Sequence, residues 1–126
     1  MSVVMDTNAL MMPVECDVRV FEELRRLVGS TELVVPDAVL AELEKLAEGN
    51  GAEAAAASVG LDLARDRCRA VSHDESYADD AVVEVATRDD VTHAVTNDRP
   101  LKRRLLDAGV PVICLRGRNK LAVTQP

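Results

Sequence analysis

The chain has 126 residues, is 48% apolar and 29% charged, and carries a net charge of −7. That size and apolar share fit one domain with a real core and exclude a disordered chain. No apolar stretch nears the roughly 20 residues that cross a bilayer, and no basic-then-apolar leader opens the chain, so the expectation is a cytoplasmic protein without a membrane partner.

The first element is the apolar run Val3–Met5, which stops on Asp6 with Thr7 and Asn8 following. Helical spacing first appears over Val18–Val28, where Val20, Phe21, Leu24, Leu27 and Val28 share a face and Gly29 ends the pattern. Leu33–Val35 reads as a second strand. Asp37–Glu48 is a helix with Val39, Leu40, Leu43, Leu46 and Ala47 inward, and Ala52–Cys68 is an alanine-rich helix despite Gly60. Arg69–Val71 is a weak strand, Asp79–Arg88 a helix, Val91–Val95 a strand, Arg99–Ala108 a helix closed by Gly109, and Val110–Leu115 the last strand. Short Val-rich runs that do not alternate are how strands buried on both faces read. Their alternation with helices predicts an α/β fold, a three-layer α/β/α sandwich around a central parallel sheet with right-handed crossovers.

The cysteines, Cys16, Cys68 and Cys114, lie far apart with no Cys-x-x-Cys spacing, which excludes a zinc knuckle and a disulfide framework. His73 and His93 are not spaced as zinc ligands and read as structural. Aromatics are limited to Phe21 and Tyr77, so a base-stacking platform of the RRM or OB type, which needs aromatic faces on strands, is not available. Charge is unevenly placed. Up to Asp98 there are 21 acids and 8 Lys plus Arg; from Arg99 onward there are 7 bases and one acid, Asp107. A polyanion can meet that basic end locally although the whole molecule repels it; the plainer alternative is a solvated helix face and a loose tail.

In an α/β sheet, ligands sit beyond the carboxyl ends of the strands. Asp6 directly follows the first strand and Asp98 the fourth, so both belong to one rim, each with Asn and Thr beside it. Either alone is more often an N-cap. Asp79 shares a helical face with Val82, Val83 and Ala86, whereas Asp80 aligns with a mixed face; Ser76-x-x-Asp79 also fits a capping box, which would turn Asp79 to the backbone. Glu42 and Glu44 flank the apolar stripe of their helix almost equally, and periodicity does not choose between them. Carboxylates about 5 Å apart repel by roughly 3 kcal/mol per pair at an effective dielectric near 20. Acids brought to one rim are therefore either spread out along it or held together by a cation, and for a cation all-oxygen ligation suits Mg²⁺ or Mn²⁺.

Taken in order, VVMDTNAL, PDAVLAELEKL, YADDAVVEVA, VTNDRPLKRRL and VPVICL resemble the PIN-domain nucleases, and they span nearly the whole chain. The YADD and DRxLKRR stretches look most like the branch that processes small-subunit rRNA, with its small archaeal relatives; the family also contains toxins of toxin–antitoxin pairs. The resemblance implies a metal-dependent endoribonuclease (a hydrolase) that leaves a 5′-phosphate and a 3′-hydroxyl. Position by position it places the family's acids on Asp6, Glu42, Asp79 and Asp98, with Asp6, Asp79 and Asp98 holding one or two Mg²⁺ or Mn²⁺ ions. Asn8 and Thr96 match supporting polar positions. Pro100 departs from an acid common in the rRNA-processing branch, and affects the helix start rather than the ligands. Arg99, Lys102, Arg103 and Arg104 are the expected phosphate contacts.

Residues 1–116 are expected to form the PIN-like nuclease domain and 117–126 a C-terminal tail. The resemblance implies as partners RNA, an antitoxin or ribosome-assembly protein, and a second copy; the apolar side of 18–28 is either the face that second copy meets or part of the core. Specificity is expected to come from RNA shape or a partner rather than from aromatic readers. The competing readings are a non-catalytic PIN-like scaffold in a ribonucleoprotein or antitoxin complex, and a phosphoryl-transfer domain of receiver or haloacid-dehalogenase type. Asp6-Thr7-Asn8-Ala9-Leu10 satisfies neither phosphoryl-transfer signature, and no P-loop motif is present.

Overall fold

The computed structural model describes residues 1–126. Its strands are β1 (Ser2–Met5), β2 (Glu32–Pro36), β3 (Arg69–Val71), β4 (Val91–Val95), β5 (Val112–Arg116) and β6 (Lys120–Thr124). Its helices are α1 (Thr7–Glu15), α2 (Val20–Val28), α3 (Asp37–Ala47), α4 (Gly51–Arg67), α5 (Ala78–Ala86) and α6 (Arg99–Asp107). One sheet runs in the order β3-β2-β1-β4-β5-β6, parallel except for the β5–β6 pair. The chain steps outward from β1 to β2 and β3, then returns to β4 on the other side of β1 and continues to β5. Right-handed crossovers taken in opposite directions put their helices on opposite faces. Accordingly α5 packs on β1, β2 and β4 and against α6, while α1 packs with α2 and α4. The predicted sandwich is present.

The core explains the Val-rich strands. Val3, Val4 and Met5 are fully buried, as are Ala94, Val95, Val112 and Ile113, because helices cover both faces of the central strands. All five strands expected from the sequence are present, with ends shifted by up to two residues.

Two elements differ from expectation. Helix α1 was not foreseen: β1 passes straight into it, with Asp6 as N-cap accepting from the Ala9 amide through Oδ1 at 2.6 Å. An N-cap needs no intervening turn, which is why an apolar run can stop on an acid here. Pro13 inside α1 obscured the helical pattern.

The second difference is at the C-terminus. Residues 117–126 are not a loose tail: a turn at Gly117, with φ 74°, folds Lys120–Thr124 back onto β5. Leu121 is 1% exposed and belongs to the core. The outer edge of β6 is pinned by α2, where Glu23 Oε1 accepts from the Leu121 amide at 3.0 Å and Arg26 Nη2 donates to the Leu121 carbonyl at 2.8 Å. Arg26 and the Leu121 amide hold the Glu23 carboxyl down at about 2. On the apolar side of α2, Val20 and Leu24 go into the core, while Phe21, Leu27 and Val28 are only partly buried. Val18, Val20 and Leu24 are each no more than 2% exposed.

Gly60 marks the closest approach of α4 to α1. A Cβ there would stand 2.7 Å from the Leu10 carbonyl oxygen, and backbone does not yield as a side-chain tip would. Overpacking costs about 1–3 kcal/mol, of which the better helix propensity of alanine returns up to about 1 kcal/mol. Gly60→Ala should therefore unfold at lower urea than wild type; an unchanged midpoint would mean the two helices can part freely.

Candidate acidic active site

The switch in strand order falls between β1 and β4, which are parallel neighbours in the sheet. In such sheets a crevice opens at the carboxyl ends of the two strands. Asp6 follows β1 and Asp98 follows β4, so the topology alone puts both at its mouth. A cleft of about 240 Å³ is found there, lined by Asp6, Glu42, Asp79 and Asp98, together with Glu15, Glu53, Thr7, Asn8 and Met11. All four acids expected at the site share it. Two larger grooves, of about 590 and 600 Å³, lie around Phe21, Arg25 and Arg67 near the starts of β2 and β3. Their Arg19, Arg67 and Arg69 are each paired with an acid, and they gather no carboxylates in the way the small cleft does.

Local structure fixes each side chain. Asp98 caps α6, accepting from the Leu101 amide at 3.0 Å, and its own amide donates to the Thr96 hydroxyl at 3.0 Å. Thr96 is fully buried. Asn8 Oδ1 accepts from the Asn97 amide at 2.9 Å, and Asn97 Oδ1 accepts from the Leu115 amide at 2.7 Å. This relay ties together the chain at the ends of β1, β4 and β5. His73 Nε2 accepts from the Ala38 amide at 3.0 Å, anchoring the loop after β3 to the start of α3.

In each of the two open choices, one acid lines the cleft and the other does not. Helix α5 starts at Ala78 with Tyr77 as N-cap and no side-chain cap, so the Ser76–Asp79 capping box does not form. Asp79 faces the cleft, whereas Asp80 is drawn away by Arg104 at 2.8 Å. Glu42 lines the cleft, and Glu44 stands 3.9 Å from Arg65.

The charges in the cleft act on one another. Burial pushes the Asp6 carboxyl up to about 7, against the Thr96 hydroxyl and the Ala9 amide, and Asp79 and Asp98 push it further the same way. Asp79 is raised above its ordinary value by burial, then by Asp98 and Glu42, with Arg104 opposing. The donor atoms are carboxylate oxygens, the set that Mg²⁺ and Mn²⁺ prefer. The Thr7 hydroxyl, buried in the same wall, has no protein partner. The residues thus fit a hard divalent ion in kind, although no three acids converge on one ligand point, a looser arrangement than the sequence predicts.

Sequence reasoning missed Glu15 and Glu53, and marked Thr7 and Asn97 only as polar neighbours of the acids, without the cleft wall of the one or the tie to Leu115 of the other. Thr7, Met11 and Glu15 follow helical i, i+4, i+8 spacing and would have shared a face had α1 been recognised. Glu53, in the first turn of α4, carries no such signal. The basic residues divide. Lys102 Nζ lies 3.3 Å from Cys114 Sγ and Arg104 is held by Asp80, while Arg99 and Arg103 have no acidic partner. Arg99, Lys102 and Arg103 line a shallow groove on α6, separate from the acidic cleft.

A mostly parallel α/β sheet with carboxylates lining a cleft at its switch point defines the class of this protein, an α/β domain with an acidic cleft. The family described as "PIN like domain" matches residues 3–118, and the chain belongs to it. Among curated relatives, Ribonuclease VapC4 of Methanocaldococcus jannaschii is 27% identical over 121 residues, which cover 93% of this chain and 92% of the relative. Among solved structures, the PIN domain endonuclease Utp24 superposes with a TM-score of 0.82 at 28% identity, covering 99% of this chain and 92% of that one. VapBC2 from Rickettsia felis, solved bound to a DNA fragment from its promoter, gives a TM-score of 0.60 at 18% identity, covering 82% of this chain and 92% of that one; that likeness is of fold alone.

Proposed function

We propose that the protein is a Mg²⁺- or Mn²⁺-dependent endoribonuclease that hydrolyses RNA phosphodiester bonds. The observation that carries this reading is the meeting of Asp6, Glu42, Asp79 and Asp98, from four separate elements, in one cleft at the sheet's switch point. Likeness to a ribonuclease and to a PIN endonuclease, each over more than nine-tenths of this chain, supports it. Asp6, Asp79 and Asp98 would hold the metal, with Glu42 beside them. A metal so bound supplies an activated water and charge stabilisation at the phosphodiester.

The chain's own residues do the rest. The backbone amides of Ala9 and Leu101 each hold one oxygen of Asp6 and Asp98 and so fix both rotamers. Thr96 and Asn8 hold the strand ends that carry them. Glu42, which lines the same cleft, would help position the attacking water. The excess of carboxylates repels RNA until a cation offsets it, so divalent metal should be required for productive binding as well as for cleavage.

The direct test is incubation of structured single-stranded RNA with the protein in Mn²⁺ and in EDTA, with Mn²⁺ titrated by calorimetry. Cleavage and saturable Mn²⁺ uptake are expected; uptake without cleavage of any RNA would leave a scaffold. A role in rRNA maturation is supported by the likeness to Utp24, and a toxin role with an antitoxin partner by the likeness to VapC4.

Arg99 and Arg103 are the bases of α6 free to meet phosphates. Neutralising both, as Arg99→Gln with Arg103→Gln, should lower the slope of log affinity against log salt by about 1.4, at about 0.7 per phosphate on a single strand. A slope equal to wild type would assign them to the solvated surface.

A further inference from the structure

Parallel pairing of β1 to β5 brings their carboxyl ends to one rim, and features on either side of the acidic cleft there have no role so far. On one side is Tyr77, the chain's sole tyrosine. It is the N-cap of α5, two residues before Asp79, and is 76% exposed. A large ring held in water beside a cleft gains nothing for the core. The loop that presents it is held by the protein, since Arg88 donates to the Ser72 carbonyl at 2.7 Å and Glu84 accepts from the Asp74 amide at 3.0 Å. On the other side is the β5–β6 hairpin, with Arg116, Arg118 and Lys120 around its turn. Neither Arg116 nor Arg118 has an acidic partner, and Lys120 is only 3.7 Å from Glu23. The hairpin is locked to the cleft through Leu115, whose amide is held by Asn97, the neighbour of Asp98.

We propose that a single RNA strand crosses this rim, with a base stacked on Tyr77, the backbone over the carboxylates, and the following phosphates on Arg116 and Arg118. The inference rests on the ribonuclease reading. The two anchors differ in chemistry as a strand requires: an aromatic face takes any base, and guanidinium groups take phosphates. In the sheet order the strand before the Tyr77 loop, β3, and the β5–β6 hairpin flank β1 and β4 on either side, so a strand that reaches both passes the carboxyl ends of β1 and β4. Six strands at about 4.8 Å spacing make the rim about 24 Å wide, the length of a few nucleotides. The lone tyrosine thereby serves as a positioning residue, without the strand-borne aromatic platform that the composition excludes.

The chain has no tryptophan, so tyrosine emission from the unmodified protein reports Tyr77 alone. A short unlabelled single-stranded RNA, titrated with Ca²⁺ in place of Mg²⁺, should quench that emission. The quench should saturate together with binding followed by the anisotropy of the same RNA carrying an end label. Tyr77→Ala should weaken affinity about 5- to 100-fold, the range for loss of one stacked base, and Tyr77→Phe should restore it. Arg116→Gln with Arg118→Gln should lower the salt slope by about 1.4. RNA that binds wild type while tyrosine emission and the hairpin variant's salt slope stay unchanged overturns the track and leaves the nuclease reading standing. Wild type that binds no RNA overturns both.

Discussion

Asp98→Asn should lose RNA cleavage by at least about 100-fold, the scale on which removing one element of a preorganised electrostatic site acts. The substitution is nearly isosteric, and Asn is as good an N-cap as Asp, so α6 keeps its start. Only the charge facing the cleft is lost. Single-turnover cleavage at saturating Mn²⁺ is the measurement, because it separates chemistry from binding and product release. Helical content and melting should stay close to wild type. Cleavage at the wild-type rate would remove Asp98 from the catalytic set, and with it the argument from the switch point. Arg103→Gln, on the same helix, is the useful contrast, since its effect should fall on affinity and vanish at saturating RNA.

Asp6→Asn should do something an ordinary core substitution does not: inactivate the protein while making it more stable. Asp6 is 4% exposed, and its carboxyl is pushed up to about 7 from an ordinary 3.8. The folded state therefore favours the neutral acid. No penalty exists below about pH 4, where the group is protonated folded or unfolded. The penalty grows as pH rises, because the unfolded chain ionises first, and it is complete above the folded value of about 7. A shift of about three units corresponds to about 4 kcal/mol at most. Asn keeps the N-cap and carries no charge to bury. In urea denaturation with EDTA present, the variant should match wild type near pH 4 and exceed it at pH 8. Equal stability at pH 8 would mean that the carboxylate is hydrated in place and the cleft is wetter than its burial indicates. The strain of an ionised Asp6 is the counterpart of its proposed role, since a group that is costly alone has most to gain from a cation.

What could be read from the sequence follows from what burial does to residue choice. Strand stretches covered on both faces must be apolar, so β1, the Ala94–Val95 end of β4 and the Val112–Cys114 stretch of β5 announced themselves, and the acids that follow β1 and β4 were visible for the same reason. Helix α1 was hidden because Pro13 interrupts its pattern and because Asp6 reads equally as strand end and helix cap. Strand β6 was hidden because edge strands are half exposed and tolerate polar residues, so KLAVT between a basic turn and the terminus resembles a tail. The choices between Asp79 and Asp80, and between Glu42 and Glu44, rested on partners distant in sequence. Arg104 claims Asp80 across 24 positions and Arg65 stands by Glu44 from the next helix. No periodicity carries that information. Glu15 and Glu53 enter the cleft only through the docking of α1 on α4.

The grip of Glu23 and Arg26 on Leu121 has a bearing on how copies of this chain can meet. An uncovered border strand offers free amide and carbonyl groups on which another chain can template itself. Here the mid-strand pair on β6 is already satisfied by a side-chain clamp, and the opposite border, β3, is three residues long and carries Arg69 in a pair with Glu32 at 2.9 Å. Both flanks resist continuation of the sheet into a neighbour. Strand exchange along either flank is thereby disfavoured, which keeps the carboxyl rim and its cleft clear of it.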